Sequence, residues 1–554
     1  MAKKKWKMLT ALLLVIVMVF ALAACGGSDS NNDQQGEPEE SESAEKGGDL
    51  VVATYTDGSN CIMDPQMTWS YGDWQLNNQL YDTLVTTDFD GKTLKDALAE
   101  SWEVSEDGLT YTFHLKEGIM FHSGKALTSD DVKRTFTRWQ TDPAAEYSYY
   151  LDFVEEMECP DDQTVILKLS KPDNNLLMNL TTPLAGIMNI DAVEQAEKDG
   201  KVYGVEVVDG TGPFKLVEYV NSDHITMERN EEYAWGSSIY ENDGAPYLKT
   251  LTYRYIPEAG TRLMELKGGT VDVLGNGCVF ANELEGLAAE GYGIYEYNPP
   301  YPVFFMFQMN RVTDKNVRIA MNMAYDREEE IATVMYGHAV PMIGALPSDY
   351  PTYWKGQDDL YPYDVDAANK LLEDSGYILS DDGYRYKDGK KLTYEISYCS
   401  SDEDAKSAEL FQAQMKKIGI DITINTSVSD FWERVGGNGG NNFDILIMGL
   451  YINTTEDMLQ EYMYSKNIPS PNRSGWSSPE ADELLVTARS TTDQELKQQC
   501  YDRLQQIAME DEVLWLPMYS RNGWSVAQPW VKGMKAHPTI VEGETKYIDV
   551  YIEK

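Results

Sequence analysis

Histidine and cysteine are scarce in this chain of 554 residues, with five of the first and six of the second. The histidines are His114, His122, His224, His338 and His537, and no pair has the H-x-x-x-H spacing that sets two metal ligands on one helix face. The cysteines are Cys25, Cys61, Cys159, Cys278, Cys399 and Cys500, and none stands in a C-x-x-C. Neither a zinc ribbon nor a thioredoxin-type redox centre is supported, and no metal is implied. Base is also short: 46 Lys+Arg against 91 Asp+Glu leave a net charge of −45, the wrong sign for gripping a phosphate backbone. Catalytic signatures are missing. The sequence has no G-x-G-x-x-G after a strand, no G-x-S-x-G elbow and no H-E-x-x-H. Gly118 and Gly124-Lys125 imitate a phosphate loop, but the spacing is one residue too long and Ala126 stands where magnesium needs Ser or Thr. Nothing calls for a cofactor, and the chain reads as a binding protein rather than an enzyme. Phenylalanine is sparse as well, 14 against 36 Tyr and 12 Trp. Rings with a polar handle suit half-wet clefts, although Tyr also fills strands.

The first 25 residues read as an address. Lys3, Lys4, Lys5 and Lys7 precede an apolar run, Leu9 to Phe20, whose one polar residue is Thr10. Leu22-Ala23-Ala24-Cys25 closes it. The run is too short and wrongly flanked for a membrane-spanning helix, and it fits a secretory signal. The small residues before Cys25 resemble a bacterial lipobox, which implies cleavage before Cys25 and lipid attachment to it. Removal of residues 1–24 takes four lysines and no acid from −45, leaving −49. Residues 25–48 then offer Gly, Ser, Asn, Asp, Gln and Glu, with Ala44 and Pro38 the only apolar side chains after Cys25. Such a stretch buries too little to fold and is expected to be a disordered acidic tether.

With 42% hydrophobic residues the rest has material for large cores. Leu50-Val-Val-Ala53 predicts a buried strand, and residues 72–86 a helix burying Trp74, Leu76, Leu80, Tyr81 and Leu84. Trp102–Val104 and Thr110–Leu115 read as a hairpin about Asp107-Gly108. Thr128 is the expected cap of a helix burying Val132, Phe136 and Trp139. The strand 250–256, helix 261–266 and strand 271–273 favour α/β architecture. Later come two helices between Val317 and Gly337, helices over 366–375, 405–417, 479–489 and 493–510, and strands over 392–398 and 420–424. Phe443–Leu450 is nearly all apolar and is expected at the centre of a parallel sheet.

The segment Leu98–Leu115 (LAESWEVSEDGLTYTFHL) resembles the signature of the family 5 solute-binding proteins, the extracytoplasmic dipeptide, oligopeptide and nickel receptors of ABC importers. Further blocks resemble the family in order: Gly118–Gly124, Leu127–Val132, Gly210-Thr-Gly-Pro-Phe214, Gly269–Val273, Val317–Ala320 with Tyr325–Arg327, Asp364–Tyr377, Lys417–Ile420 and residues 474–485. The resemblance spans about 49–554. It implies a two-lobed periplasmic-binding-protein clamp of α/β class with an inserted strand-rich subdomain. Lobe one would comprise 49–80, 209–299 and 525–554, the insertion 81–208, and lobe two 300–524. It further implies a monomeric receptor on the extracytoplasmic face of the cell membrane, capturing solute by lobe closure for a permease and ATPase, without nucleic acid.

In the family's dipeptide receptors an Asp after the strand corresponding to 443–450 holds the peptide ammonium; here that position falls on Asn453, with Glu456 and Asp457 nearby. The carboxylate-binding Arg should fall near Tyr398, yet residues 392–405 contain no base and do contain Asp402, Glu403 and Asp404. Both charged clamps for a free dipeptide are missing, and the residues themselves do not select the ligand; the resemblance implies a peptide, the family's commonest role, and an oligopeptide held by its backbone is the expected form. An oligosaccharide, another polar or cationic solute, or a surface adhesin or signalling role on the same fold are the alternatives. The expected cleft residues are Asn60, Trp69, Asn276, Phe280, Tyr398, Trp432, Tyr451 and Asn453. Cys61 and Cys278 would both lie near the cleft edge of lobe one, where a disulfide between them is a candidate.

Overall fold

A computed structural model describes residues 46–554 apart from 56–57, 59, 69, 298–300, 399–401, 427–430, 437–440, 450–454 and 539–545. Trp69, Tyr451, Asn453, the lipobox with Cys25, and the tether up to Glu45 therefore lie outside the described residues, as does the side chain of Trp432.

Two large mixed sheets organise the chain. The first has seven strands in the order Gly293–Tyr297, Gly523–Ala527, Val273–Leu274, Asp49–Thr54, Thr250–Tyr255, His224–Arg229 and Phe214–Val220. Asp49–Thr54 runs parallel to both of its neighbours. The second has six strands in the order Ala339–Pro341, Trp515–Arg521, Pro302–Phe307, Ile445–Gly449, Thr393–Ser397 and Asp421–Asn425, the last three parallel to one another. A third, antiparallel sheet of four strands (Ala99–Val104, Thr110–Leu115, Thr164–Leu169, Val154–Asp161) lies between the first and second strands of the seven-stranded sheet in chain order. The chain passes between the two large sheets twice, from Tyr297 to Pro302 and from Arg521 to Gly523.

Ile445–Gly449 is interior as expected, but its other neighbour, Pro302–Phe307, is antiparallel, so the sheet is mixed rather than parallel. The apolar run reports burial on both faces and carries no information on direction. Ile445 and Ile447 join Phe305, Val317, Met321 and Phe411 in one core. Leu446 joins Phe304, Met306, Leu485 and Trp515 in another.

The first predicted helix spans Tyr71–Leu80, shorter than 72–86, and Tyr81 turns extended. Its end is set by close approach of the Gly210-Thr-Gly212 segment. A Cβ on Gly210 would lie 2.1 Å from the Leu80 carbonyl oxygen, and one on Gly212 2.4 Å from that of Gln79. Thr211 Oγ1 donates to Asp82 Oδ2 (3.1 Å), and Tyr233, Trp235 and Lys546 also converge on that buried carboxylate. This family-like motif is thus a packing device. At Ser129–Thr141 the Asp131 carboxylate accepts the Thr128 N–H (3.0 Å), closing a capping box, and Val132, Phe136 and Trp139 are buried.

Candidate functional site

Parallel strands leave their C-terminal ends on one side of a sheet, and the loops that follow form a crevice there. In the seven-stranded sheet those loops carry Asn60 after Asp49–Thr54, and Asn276 and Phe280 after Val273–Leu274. The two loops touch: a Cβ on Gly277 would meet the Tyr55 ring at 2.9 Å. In the six-stranded sheet Tyr398 follows Thr393–Ser397, the helix Phe431–Val435 bearing Trp432 follows Asp421–Asn425, and residues 450–454 follow Ile445–Gly449.

The loop after Val273–Leu274 meets the helix that follows Tyr398. Lys406, on the helix Asp402–Lys416 after Tyr398, places Nζ 5.5 Å from the ring centre of Phe280 and 6.0 Å from that of Tyr336. Phe280 precedes the helix Ala281–Glu290, whose Ala281, Leu284 and Leu287 pack in the core of the seven-stranded sheet. Ala408 and Phe411, two and five residues beyond Lys406, pack in the core of the six-stranded one. A cation–π contact therefore spans the two bodies.

Where the chain crosses between sheets, the crossing is braced by polar contacts. Glu296 Oε1 accepts from Asn522 Nδ2 (3.0 Å) and lies 3.1 Å from His338 Nδ1, and the His338 ring meets Trp524 edge-on at 5.6 Å. Tyr301 packs against the cores of both the four-stranded and six-stranded sheets, and its carbonyl accepts the Arg521 N–H (3.0 Å). Arg521 Nη2 also reaches Glu403 Oε2 at 3.3 Å, so one of the three acids after Tyr398 is neutralised by a base from a distant strand.

Behind this wall sits Glu330, fully buried, its Oε1 accepting from Ser407 Oγ. Burial raises its pKa to about 7, against the opposing pull of the Ser407 and Tyr325 hydroxyls, with Asp404 and Glu329 adding to the rise. Next to Tyr398, Ser397 Oγ accepts from Arg434 Nη1 (3.1 Å), and the same guanidinium lies 3.4 Å from Glu395.

Three expected features have defined partners or conformations. Asn276 is 6% exposed and its Oδ1 accepts the Trp524 backbone N–H (3.2 Å), which fastens its loop to Gly523–Ala527. Asn60 is exposed with φ 57°, a left-handed turn residue next to Gly58, whose carbonyl is held by Ser222 N and Tyr219 OH. The candidate disulfide does not form. Cys61 and Cys278 are both free, with Cys61 Sγ 3.1 Å from the Tyr255 hydroxyl and Cys278 Sγ donating to the Ala53 carbonyl (3.3 Å). Burial pushes the Cys61 thiol up to about 12. Lys406, Arg521, Arg434 and Glu330 were not foreseen. The one local signal was the bare stretch 392–405, which ends one residue before Lys406.

Residues 93–470 match the profile of the bacterial extracellular solute-binding proteins, family 5 (middle region). The chain belongs to that family. Family 5 proteins are solute-binding proteins, not enzymes, and the two-lobed α/β clamp is their fold. The oligopeptide-binding protein AppA of Bacillus subtilis is 27% identical over 510 residues, covering 89% of this chain and 90% of AppA. The heme-binding protein A of Haemophilus influenzae is 28% identical over 505 residues, covering 83% and 85%. Among family 5 structures, the Helicobacter pylori protein DppA in complex with the peptide STSA superposes with a TM-score of 0.78 at 26% identity, covering 92% of this chain and 99% of DppA. AppA in complex with a nonapeptide gives the same TM-score and identity, covering 92% and 100%.

Proposed function

We propose that this chain is the lipid-anchored receptor of an ABC importer, which captures an oligopeptide between two closing lobes and hands it to a membrane permease. The observation that carries the ligand reading is the fit of the whole two-sheet body to two proteins solved with peptides bound. Loop sets at the C-terminal ends of parallel strands, facing across the Lys406–Phe280 contact, support a cleft at that place. The proposed lobes are 49–80, 209–299 and 525–554, with 81–208 inserted, and 300–524. Strand Gly523–Ala527 belongs to the seven-stranded sheet, which favours moving the second crossing to Asn522.

Within this reading Phe280, Tyr398, Trp432, Tyr451 and Asn453 line the cleft, together with Lys406 as its cation. Asn453 replaces an ammonium-binding carboxylate, and Lys406 is a mobile point charge rather than a fork, so neither peptide end is gripped as in a dipeptide receptor. Affinity then comes from the peptide backbone and from Tyr and Trp surfaces. A relative named for heme binding, as similar in sequence as AppA, favours one alternative, a non-peptide polar ligand. Mass spectrometry of the small molecules released on denaturing the purified protein tests the two. Peptides are expected, and synthetic peptides should raise the melting temperature. Release of only glycans or tetrapyrroles, with no thermal response to peptides, overturns the peptide reading.

A further inference from the structure

A second contact between the two bodies is made by residues outside both the crossings and the loop sets. Arg489, in the last turn of the helix Pro479–Ser490, extends from the six-stranded body into the four-stranded one. Ala481, Leu485 and Ala488 of that helix pack with Phe304, Met306 and Trp515. The receiving residues Tyr150, Leu151 and Leu176 belong to the core of the four-stranded sheet.

The guanidinium is engaged on every side. Nε donates to Asp173 Oδ1 (3.1 Å) and Nη2 to Asp173 Oδ2 (2.6 Å), a two-pronged pair whose side chains are 7% and 1% exposed. Nη1 donates to the Tyr149 carbonyl and Nη2 to that of Tyr150, both at 3.2 Å, and the plane lies 4.5 Å from the Phe153 ring centre. Asn174 completes the contact. Its N–H donates to the Arg489 carbonyl (3.0 Å) and its Nδ2 to those of Ala488 (3.0 Å) and Thr491 (2.8 Å), satisfying the end of the helix from the other body.

We propose that Arg489, Asp173 and Asn174 form a latch that closes when the clamp closes, making Arg489 a positioning residue for solute capture. The reasoning is one of asymmetry. In an open clamp Arg489 and Asp173 stand in water, where each is solvated and their attraction is small. Closure strips that water from both and returns a fork-to-carboxylate pair with four of the five N–H bonds answered, so the gain and the cost nearly cancel. The latch alone therefore does not hold an empty clamp shut. Once one partner is removed, the other is left buried without its counter-charge, with only backbone partners (the Tyr149 and Tyr150 carbonyls for Arg489, the Asn175 N–H for Asp173), but only in the closed state. Apparent affinity then falls with the closed-state population, although no ligand contact has changed.

The inference rests on the clamp reading, and the experiment separates the two. Full-length protein is compared as purified, with any retained solute, after stripping by unfolding and refolding, and after adding a random hexapeptide pool. The readouts are radius of gyration by X-ray scattering, amide exchange at Asn174, and the melting temperature of the stripped protein. In the wild type, compaction and slowed Asn174 exchange should appear together. Arg489→Met and Asp173→Asn should leave the stripped melting temperature unchanged, keep Asn174 exchange fast, and weaken binding of the pool on the order of 100-fold. Arg489→Lys, which retains charge without the fork, should fall between. If the wild type compacts and Arg489→Met compacts equally, the latch is refuted and the clamp stands. An Asn174 amide protected alike in stripped and loaded protein, with a lowered melting temperature in the stripped variants, shows a permanent contact and also refutes it. A wild type that compacts in neither loaded state overturns both.

Discussion

At the scale of single residues, charge placement decides what this site can hold. Lys406 and Arg521 stand among acids, and Glu403 is matched by Arg521. Asn453→Asp places a carboxylate at a proposed cleft position; binding of ligands with a free amino terminus should strengthen on the order of tenfold by calorimetry. Unchanged affinity would remove Asn453 from the site. Glu330 gives a pH prediction. Its folded pKa is raised from 4.5 to about 7, so its contribution is fully present below pH 4.5 and is lost as pH rises through 7. Wild-type stability should fall by about 3 kcal/mol over that window relative to Glu330→Gln, in which the Gln carbonyl keeps the Ser407 hydrogen bond without a charge. Parallel stability–pH curves for the two proteins would show that Glu330 does not titrate there. The place of Tyr398 at the end of Thr393–Ser397 was legible from sequence because the strand before it is readable. Lys406 was read past because its partners, Phe280 and Tyr336, are remote in sequence.

At the scale of elements, local rules placed most helices and strands and missed where tertiary contact intervened. The capping box at Thr128–Asp131, the Asp326 cap accepting the Glu329 N–H (3.0 Å), and the buried Val317, Ala320, Met321 and Ala324 face all follow from side-chain chemistry within a few residues. The helix Tyr71–Leu80 stops early because Gly210-Thr-Gly212 packs against its last carbonyls, and nothing within the helix announces that. Gly212→Ala should therefore cost about 3 kcal/mol, since its Cβ would collide with backbone rather than with a yielding side chain. Denaturant unfolding should show a lower midpoint with an unchanged slope. A wild-type midpoint would mean that the segment can move aside.

At the scale of the whole molecule, two crossings at 298–301 and 522 join bodies that also meet through Lys406–Phe280 and Arg489–Asp173. Short paired connections between sheets are where a clamp bends, since few dihedrals must change there. On the proposed lipid anchor, Cys25→Ser should release the protein into the medium or soluble fraction. Continued membrane retention would refute lipidation. If residues 1–24 are removed as proposed, the net charge is −49, and charge spread over a solvated surface says little about the ligand.

By itself the sequence determined the class of fold, most element boundaries and the absence of familiar catalytic signatures, and it carries the expectation of an export signal. These rest on local patterns: charge before an apolar run, periodicity, caps, and ordered family blocks. The tertiary structure alone decided that Ile445–Gly449 has one antiparallel neighbour, that Cys61 and Cys278 stay apart in bonding, that Asn276 braces a strand, and that Arg489 meets Asp173. Each of these depends on which distant segments share a surface. A side chain's nature does not state its partner when that partner lies hundreds of residues away.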